Sequence, residues 1–396
     1  MGMGSIRGRA PSSDGLDALP RVSTLDGRAA PMPAAAHESW WKWIKLTLQN
    51  GGPGQCIFAI NNACNAGCGF CNFARDVLPR SSWRYVPLDG ARRAIDILSG
   101  LFIRYLIVSG GEPTLHPDLD AIVRHARRRH MTAMLVTNGS TLTEQRCEEL
   151  AAAGVSSMVI SVDAATAADH EQNRRLPRLC RRIREANQTL ARLGIQSTAS
   201  VTISRLVQDY DALAVFLDQL GFSTVTFSYP LTNLRSSFLG YRSSALVEFT
   251  AAELEAHFEA IKRLKRSFAV VNPTAALEEM QRFVRGDEQR FECLGGYRYF
   301  YLDWDLMVWR CHSWGEPMCS VFDLDEAHYV RDGCTKCMVD CYRDASVMQH
   351  VAVAATDAVR DARAGRVLQA ASRLVNRSTL ESIRSTMETQ RWIRSL

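Results

Sequence analysis

The sequence predicts an α/β fold in which repeated βαβ units lay down a parallel sheet, followed by a small cysteine-rich segment. Three observations carry this. From residue 55 onward, short apolar runs alternate with amphipathic stretches, the pattern of buried parallel strands and the helices that cover them. Gly154, Gly194 and Gly221 stand just past three of the amphipathic stretches, where a helix needs a left-handed cap. The cysteines, 12 in 396 residues, fall mostly into two clusters.

Strands are expected at Gln55–Ile60, Tyr105–Ser109, Ala133–Thr137, Ser157–Val162, Ser197–Ile203 and Thr224–Ser228. Helices are expected at Leu88–Leu98, Asp118–Arg129, Glu144–Ala153, Leu179–Leu193 and Asp211–Leu220, with one more, Ala251–Arg266, closing the region. The repeat length is that of the βα unit itself, so the alternation means right-handed crossovers in one sheet and not a solenoid. Ahead of it, residues 1–37 are rich in Ala, Pro, Gly, Ser and Arg without hydrophobic periodicity and are expected to form a disordered tail. Residues 38–54 form a Trp-rich lead-in, in which Trp40, Trp41, Trp43 and Ile44 alternate with Lys42 and Lys45. Two readings suit it: a short helix packed on the domain behind it, or a helix making peripheral contact with a membrane surface. Residues 285–345 are dense in aromatics and turn residues and read as a hairpin with irregular loops, and residues 346–396 as a helical extension.

Composition narrows the function classes. At 46% hydrophobic and 22% charged the chain can bury a full core, which excludes wholesale disorder. A net charge of +5, dispersed along the chain, does not argue for a nucleic-acid partner. No apolar run reaches the roughly 18 residues of a membrane span. The first residues lack a secretory apolar core, so a cytoplasmic setting is expected, where clustered cysteines point to metal or catalysis before disulfides. Cys56, Cys147 and Cys180 stand apart and read as plain buried thiols. The run RHARRRH from Arg124 reads as the solvated face of a helix.

The first cluster lies in AINNACNAGCGFCNFA, the loop leaving the C-terminal end of the first strand, which is the active face of a β/α barrel. Cys64, Cys68 and Cys71 are spaced so that three thiolates can face one centre. A closed structural zinc site wants a fourth ligand, and the loop offers none. Three sulfurs suit a four-iron cluster whose fourth iron is open to an outside ligand. Gly67 and Gly69 leave room for it.

In this loop the chain resembles the radical S-adenosylmethionine (radical SAM) superfamily, whose hallmark is Cys-x3-Cys-x2-Cys after strand one. Phe70 matches the aromatic usual before the last cysteine. VSGGEPTLHP from Val108, LVTNGS at the end of strand three, and SVD followed by HEQNRR resemble further family motifs, so that the likeness runs from about Gln55 to Phe268. The resemblance implies a partial (β/α)6 TIM-like barrel holding a [4Fe-4S] cluster and S-adenosylmethionine. It further implies reductive cleavage of the latter to a 5′-deoxyadenosyl radical, with electrons from a flavodoxin or ferredoxin. It assigns Gly110, Gly111 and Glu112 to the methionyl amine, with Thr137 and Asn138 on the same rim. Ser161, Asp163, Arg174 and Ser200 become candidates for the ribose, the carboxylate or the substrate. At Arg175 many relatives carry glycine.

Cys293, Cys311, Cys319, Cys334, Cys337 and Cys341 form the second cluster. A hairpin with a cysteine at each end, facing a Cys-x2-Cys knuckle, can close four thiolates on one centre, and zinc suits four thiolates as well as iron does. The segment resembles the SPASM/twitch extension of radical SAM enzymes, which implies an auxiliary [4Fe-4S] cluster. A full SPASM extension carries seven cysteines. The shorter twitch pattern fits Cys293, Cys311, Cys334 and Cys337, with Cys341 as an alternative ligand and Cys319 a bystander. The expected function is hydrogen abstraction from a small molecule, such as a sugar, cyclitol, nucleoside or lipid intermediate. Peptide maturation is the alternative, and a non-catalytic zinc or iron–sulfur scaffold is the reading of a different class.

Overall fold

The computed structural model describes residues 40–231 and 234–390. The tail expected at residues 1–37, and the side chains of Trp40, Trp41 and Trp43, lie outside the described residues. Helix α1 (Trp40–Asn50) leads into β1 (Gly54–Asn61) and α2 (Leu88–Gly100), β2 (Ile103–Gly110) and α3 (Leu119–Arg128), then β3 (Thr132–Thr137) and α4 (Glu144–Ala153). There follow β4 (Ser157–Val162) with α5 (Ala167–Arg174) and α6 (Leu179–Arg192), β5 (Gln196–Thr202) and α7 (Tyr210–Gln219), and β6 (Thr224–Ser228) and α8 (Ala251–Leu264). The remainder comprises β7 (Ala269–Val270), α9 (Thr274–Arg285), β8 (Tyr299–Leu302), β9 (Met307–Trp309), β10 (Cys319–Ser320), α10 (Asp340–Arg363), α11 (Val367–Leu374) and α12 (Arg377–Gln390).

Strands β1 to β7 pair in parallel in chain order, as the βαβ reading requires. Side chains alternate across the strands. Leu106, Val108, Ala133, Leu135, Met158, Ile160, Ala199, Val201, Val225 and Phe227 are buried in one apolar core with Ile95, Leu98, Ile122 and Val123 of the covering helices. The opposite face carries small hydroxyls that stay half-buried. Ser161 pairs in register with Ser200 and Ser200 with Thr226, and one step on Thr202 pairs with Ser228.

Two features were not legible as expected. The hairpin β8–β9 does form, but β8 also pairs in parallel with β1, Gln55 opposite Tyr299 and Phe58 opposite Leu302. The cysteine-rich segment therefore continues the barrel's own sheet, in the order β10-β9-β8-β1-β2-β3-β4-β5-β6-β7. The physical reason is the edge of β1, an apolar strand whose unpaired backbone groups need a partner. Tyr299, Phe300, Tyr301 and Leu302 are all buried on both faces, but four residues give too short a run for an unambiguous strand signal.

The second feature is α10, which starts at Asp340, ahead of the expected extension, and so takes Cys341 into its first turn. It closes the open side of the partial barrel. Towards the β6–β7 side, Ser228 Oγ donates to Asp340, and Asp344 accepts from Tyr229 Oη at 3.1 Å and from Asn272 Nδ2 at 2.7 Å. Towards the β8–β1 side, Tyr299 Oη donates to the Ala345 carbonyl and Gln55 Nε2 to that of Cys341. Gln349 Nε2 reaches the carbonyls of Gly51 and Pro53, both at 2.9 Å, and Thr356 Oγ1 that of Thr47 in α1. The C-terminal part of α1 thus packs on the domain, in line with the first of its two readings. Among the described residues no helix is long and apolar enough to cross a membrane.

Asn272 is the pivot of this seam. Buried beyond β7, it accepts from the Phe227 N–H at 2.7 Å and donates to the Phe227 carbonyl at 2.9 Å as well as to Asp344. Asn272→Ala leaves a buried amide and a buried carboxylate short of partners and is expected to cost about 2–3 kcal/mol, read as a lower midpoint in chemical denaturation. An unchanged midpoint would show that the seam closes without it.

Candidate active site

The loop between β1 and α2 has almost no regular structure, so its backbone must be held from outside. Ties reach it from four strand ends. Asn65 Nδ2 donates to Ser140 Oγ, and Asn138 Nδ2 to Asn65 Oδ1, both at 2.9 Å. The Gly67 N–H reaches the Arg174 carbonyl at 2.9 Å and the Gly69 N–H reaches Asn173 Oδ1 at 3.1 Å. Beyond β6, residues 238–246 fold over the loop: the Leu239 carbonyl accepts from the Asn72 N–H, and the Phe70 carbonyl from the Arg242 N–H. Phe70 itself is buried and stacks on Tyr241, ring centroids 6.3 Å apart.

The Gly110-Gly111-Glu112 turn is pressed against the root of the loop. The Gly111 N–H reaches the Asn61 carbonyl at 3.1 Å, the Glu112 N–H the Ala63 carbonyl at 2.7 Å, and Asn61 Nδ2 the Glu112 carbonyl at 3.1 Å. A Cβ on Gly110 would overlap the Asn61 carbonyl oxygen, and one on Gly111 would overlap that of Ala63. Gly110 also has φ +137, a conformation that suits glycine. Glu112 is 0% exposed. Its Oε1 accepts from Thr137 Oγ1 at 2.7 Å and from the N–H and Oγ1 of Thr114 at 3.1 and 2.5 Å, while Oε2 accepts from the Asn138 N–H at 2.6 Å. Burial raises its pKa, with the Asn138 N–H and the threonines pulling the other way. Glu112 is both the cap of a turn and a pin between the β2 and β3 ends. Beside Gly110, Asn61 Oδ1 is buried with no hydrogen-bond partner among the described residues, an acceptor left over for a donor from a ligand.

After β4, Asp163 is also 0% exposed. Arg174 grips it bidentately, Nε at 2.7 Å and NH2 at 2.6 Å, and Asn173 Nδ2 adds a third bond at 2.8 Å. Burial pushes Asp163 up, but the Arg174 guanidinium outweighs it and holds the carboxyl below its ordinary value. His170, whose Nδ1 accepts from the Asp163 N–H, is driven by burial down to about 4 and stays neutral at pH 7. Asn173 and Arg174 are the residues that also hold Gly69 and Gly67, so this pair acts on the cysteine loop. Arg175 takes a left-handed φ of +53, the conformation for which glycine is the ordinary choice at this position. The chain holds arginine there with an ion pair to Asp76 at 2.8 Å. Ser161 Oγ reaches the Thr137 carbonyl at 3.4 Å, and Ser200 faces the same side of the sheet one strand over.

Cys64 and Cys68 are buried and Cys71 nearly so. Burial raises all three thiols, Cys64 to about 12, with further upward pushes on Cys64 from Glu112 and on Cys71 from Cys68. Arg174 opposes the rise. Among the described residues no three His, Cys, Asp or Glu side chains converge on a single-ion site. Each iron of a cluster takes its own thiolate, so cluster ligands need not converge on one point. Three buried, mutually coupled thiols beside a fixed guanidinium and an unpartnered acceptor fit a cluster with an amine-bearing ligand.

The second thiol set gathers around Cys337. Burial raises Cys293 to about 11 and Cys311 to about 12, each pushed further by Cys337. The Cys293 N–H bonds the Cys334 carbonyl at 2.8 Å. Cys341, also raised by burial, is pushed further by Asp340. Cys319 lies apart in β10, where its charged neighbours are Asp323 and Asp325. The sequence reading missed Asn61, Asn65, Asn173, Leu239 and Tyr241. The Asn-rich start of the loop was a signal for the first two, whereas residues 238–246 carry no motif and reach the site only through the fold.

Two outcomes follow. Gly111→Ala drives a methyl into the Ala63 backbone and is expected to cost about 2 kcal/mol or more and to lower iron retention, both measurable on the purified variant. Because the Cys64, Cys68 and Cys71 thiols are protonated near neutral pH and must lose protons to bind metal, loading under limiting iron is expected to rise between about pH 7 and about pH 8.5. A flat profile would mean that the thiols are already ionised.

Comparison with known proteins agrees with this geometry. Residues 58–212 match the model of the Radical SAM superfamily. An AdoMet-dependent heme synthase of Methanosarcina barkeri is 29% identical over 161 residues, 40% of this chain and 45% of that protein. A PqqA peptide cyclase of Streptomyces rochei is 29% identical over 227 residues, 55% of this chain and 58% of that one. The chain thus spans about half the length of the curated relatives it matches. The solved structure of native anSMEcpe with bound AdoMet shares the fold with a TM-score of 0.54 at 11% identity, over 70% of this chain and 80% of that one. The matched span holds the cysteine loop, the Gly-Gly-Glu turn and the Asp163–Arg174 pair, so the site lies in the segment that is similar to the radical SAM superfamily.

Proposed function

We propose that the protein reductively cleaves S-adenosylmethionine and removes a hydrogen atom from an unactivated carbon of a peptide substrate. The observation that carries the reading is the tethering of the Cys64–Cys68–Cys71 loop to the ends of β2, β3 and β4 by the residues of the other motifs. Bound at those thiols, a four-iron cluster and S-adenosylmethionine supply one-electron cleavage of the sulfonium and hydrogen-atom abstraction. The chain's residues bind and orient. Gly110, Gly111, Glu112 and Asn61 form a rim of acceptors suited to an ammonium group, with Thr137 and Asn138 fixing the Glu112 carboxylate. Asp163 and Arg174 spend their hydrogen bonds on each other and on the loop, which supports a positioning role for both. Ser161, Ser200, Thr202, Thr226 and Ser228 give the open sheet face neutral donors and acceptors for a polar substrate.

The peptide reading is supported by the peptide cyclase, which matches over more of the chain than the heme synthase does. The heme synthase likeness and the small hydroxyls of the sheet face support a small molecule as the second reading. A flavodoxin or ferredoxin as electron donor and a cytoplasmic setting complete the proposal.

The test is anaerobic. After reconstitution with iron and sulfide, dithionite and S-adenosylmethionine are expected to yield 5′-deoxyadenosine, quantified by chromatography, and Cys68→Ala to yield none. Retained cleavage in that variant would sink the assignment. Host extract is expected to stimulate the yield, and protease treatment of the extract to remove the stimulation. Stimulation that survives protease and travels with the small-molecule fraction would select the second reading.

A further inference from the structure

Arg343, in the first turn of α10, is 1% exposed. Its guanidinium donates to the Cys334 carbonyl at 3.4 Å and to Gln289 Oε1, and its Nε is buried without a partner among the described residues. Among the described residues, no carboxylate lies within ion-pair distance of it. The buried arginine on the other flank of the thiols differs. Arg310, 2% exposed, is paired with Asp332, which also accepts from the Cys334 N–H at 3.2 Å. One of the two cations is thus neutralised by a carboxylate and the other is not.

A guanidinium cannot shed its charge inside a protein, and a buried charge calls for a counter-charge. Arg343 lies against the backbone of the second cysteine set, donating to the same Cys334 carbonyl that takes the Cys293 N–H. Its field acts on Cys293 and Cys337, and that of Arg310 on Cys311 and Cys334. Cys341 adjoins Cys337 and Cys293 as well, but its other charged neighbours are Asp340 and Asp344, with no arginine named among them. Four neutral thiols would leave Arg343 uncompensated. Four thiolates around an iron–sulfur core carry a net negative charge and would not.

We propose that Arg343 is the built-in counter-ion of a negatively charged iron–sulfur centre on Cys293, Cys311, Cys334 and Cys337, and that its charge raises the reduction potential of that centre. The proposal rests on the reading of the second thiol set as an iron–sulfur site. Reduction adds one electron to a centre that is already negative, and a buried cation beside it favours the reduced form. Cys341 is left outside the ligand set, as a thiol at the barrel seam.

The experiment uses the full chain with Cys64, Cys68 and Cys71 all changed to Ala, so that only the second site contributes to an electron paramagnetic resonance signal during redox titration. Iron and a reducible signal are expected in that background. Zinc or no metal there would overturn the underlying reading, and the proposal with it, before Arg343 is touched. Adding Arg343→Gln is expected to lower the reduced-to-oxidised ratio at fixed potential about tenfold, a shift of about 59 mV for one electron. Arg343→Lys is expected to stay near the parent. A loaded Arg343→Gln protein with an unchanged midpoint would overturn the counter-ion role alone. Loss of iron from Arg343→Gln but not from Arg343→Lys would support it, and loss from both would assign Arg343 to packing and overturn it.

Discussion

Glu112 is the constraint on which the site depends. A carboxylate with no solvent contact is tolerable only if its oxygens are occupied, and four donors from Thr114, Thr137 and Asn138 occupy them. Those bonds join the end of β2 to the end of β3. The backbone on either side of the carboxylate is at the same time laid against Asn61 and Ala63, the residues that start the cysteine loop. The root of the loop, two strand ends and the adjoining acceptors therefore share one rigid framework. The Asp163–Arg174 pair repeats the device one strand further on: a buried, mutually satisfied pair whose neighbouring backbone and amide hold Gly67 and Gly69. Neither carboxylate is free to wander, and the loop inherits their fixity.

The second organising element is α10. In one turn it presents Asp340 to β6, Cys341 to the barrel seam, Arg343 to the Cys334 carbonyl and Asp344 to Asn272. Burial lifts Asp340 to about 6 and Asp344 to about 7, the latter pushed further by Asp340. The acids and the arginine of this turn face different neighbours, so their fields divide the cysteines that chain order places side by side. Cys337 and Cys341 are four residues apart in sequence, the first next to Arg343 and the second next to Asp340 and Asp344.

Much of this was legible in the residues. Each strand from β1 to β6 lies within two residues of its expected place, because six buried apolar runs separated by capped helices leave little choice of fold. The cysteine loop and its companion motifs could be read because their chemistry demands particular residue types at short spacing. What could not be read depends on contacts between distant segments. β8 pairs with β1 across the chain, and four buried residues do not announce a strand. Residues 238–246 cover the loop through backbone carbonyls, which any sequence supplies. Arg343 looked like one arginine among many until the fold buried it, without a carboxylate, against the Cys334 carbonyl of the second cysteine set. α5 was overlooked because HEQNRR is polar on every side, and its helix is held by the Thr166 cap and by His170 and Arg174 turned inward.

The parallel pairing of β8 with β1 has a consequence for how the chain comes to be folded. Gln55 and Tyr299 are neighbours in the sheet but more than half the chain apart in the order of synthesis. Contacts of such separation form late and slowly. One edge of the strand that leads into the first cysteine loop stays bare on the ribosome until β8 has emerged, and α10, which closes the barrel, follows later still. The first set of thiols is therefore present in the chain well before the sheet that holds its loop is complete, whereas Cys334 and Cys337 arrive only after the last strand.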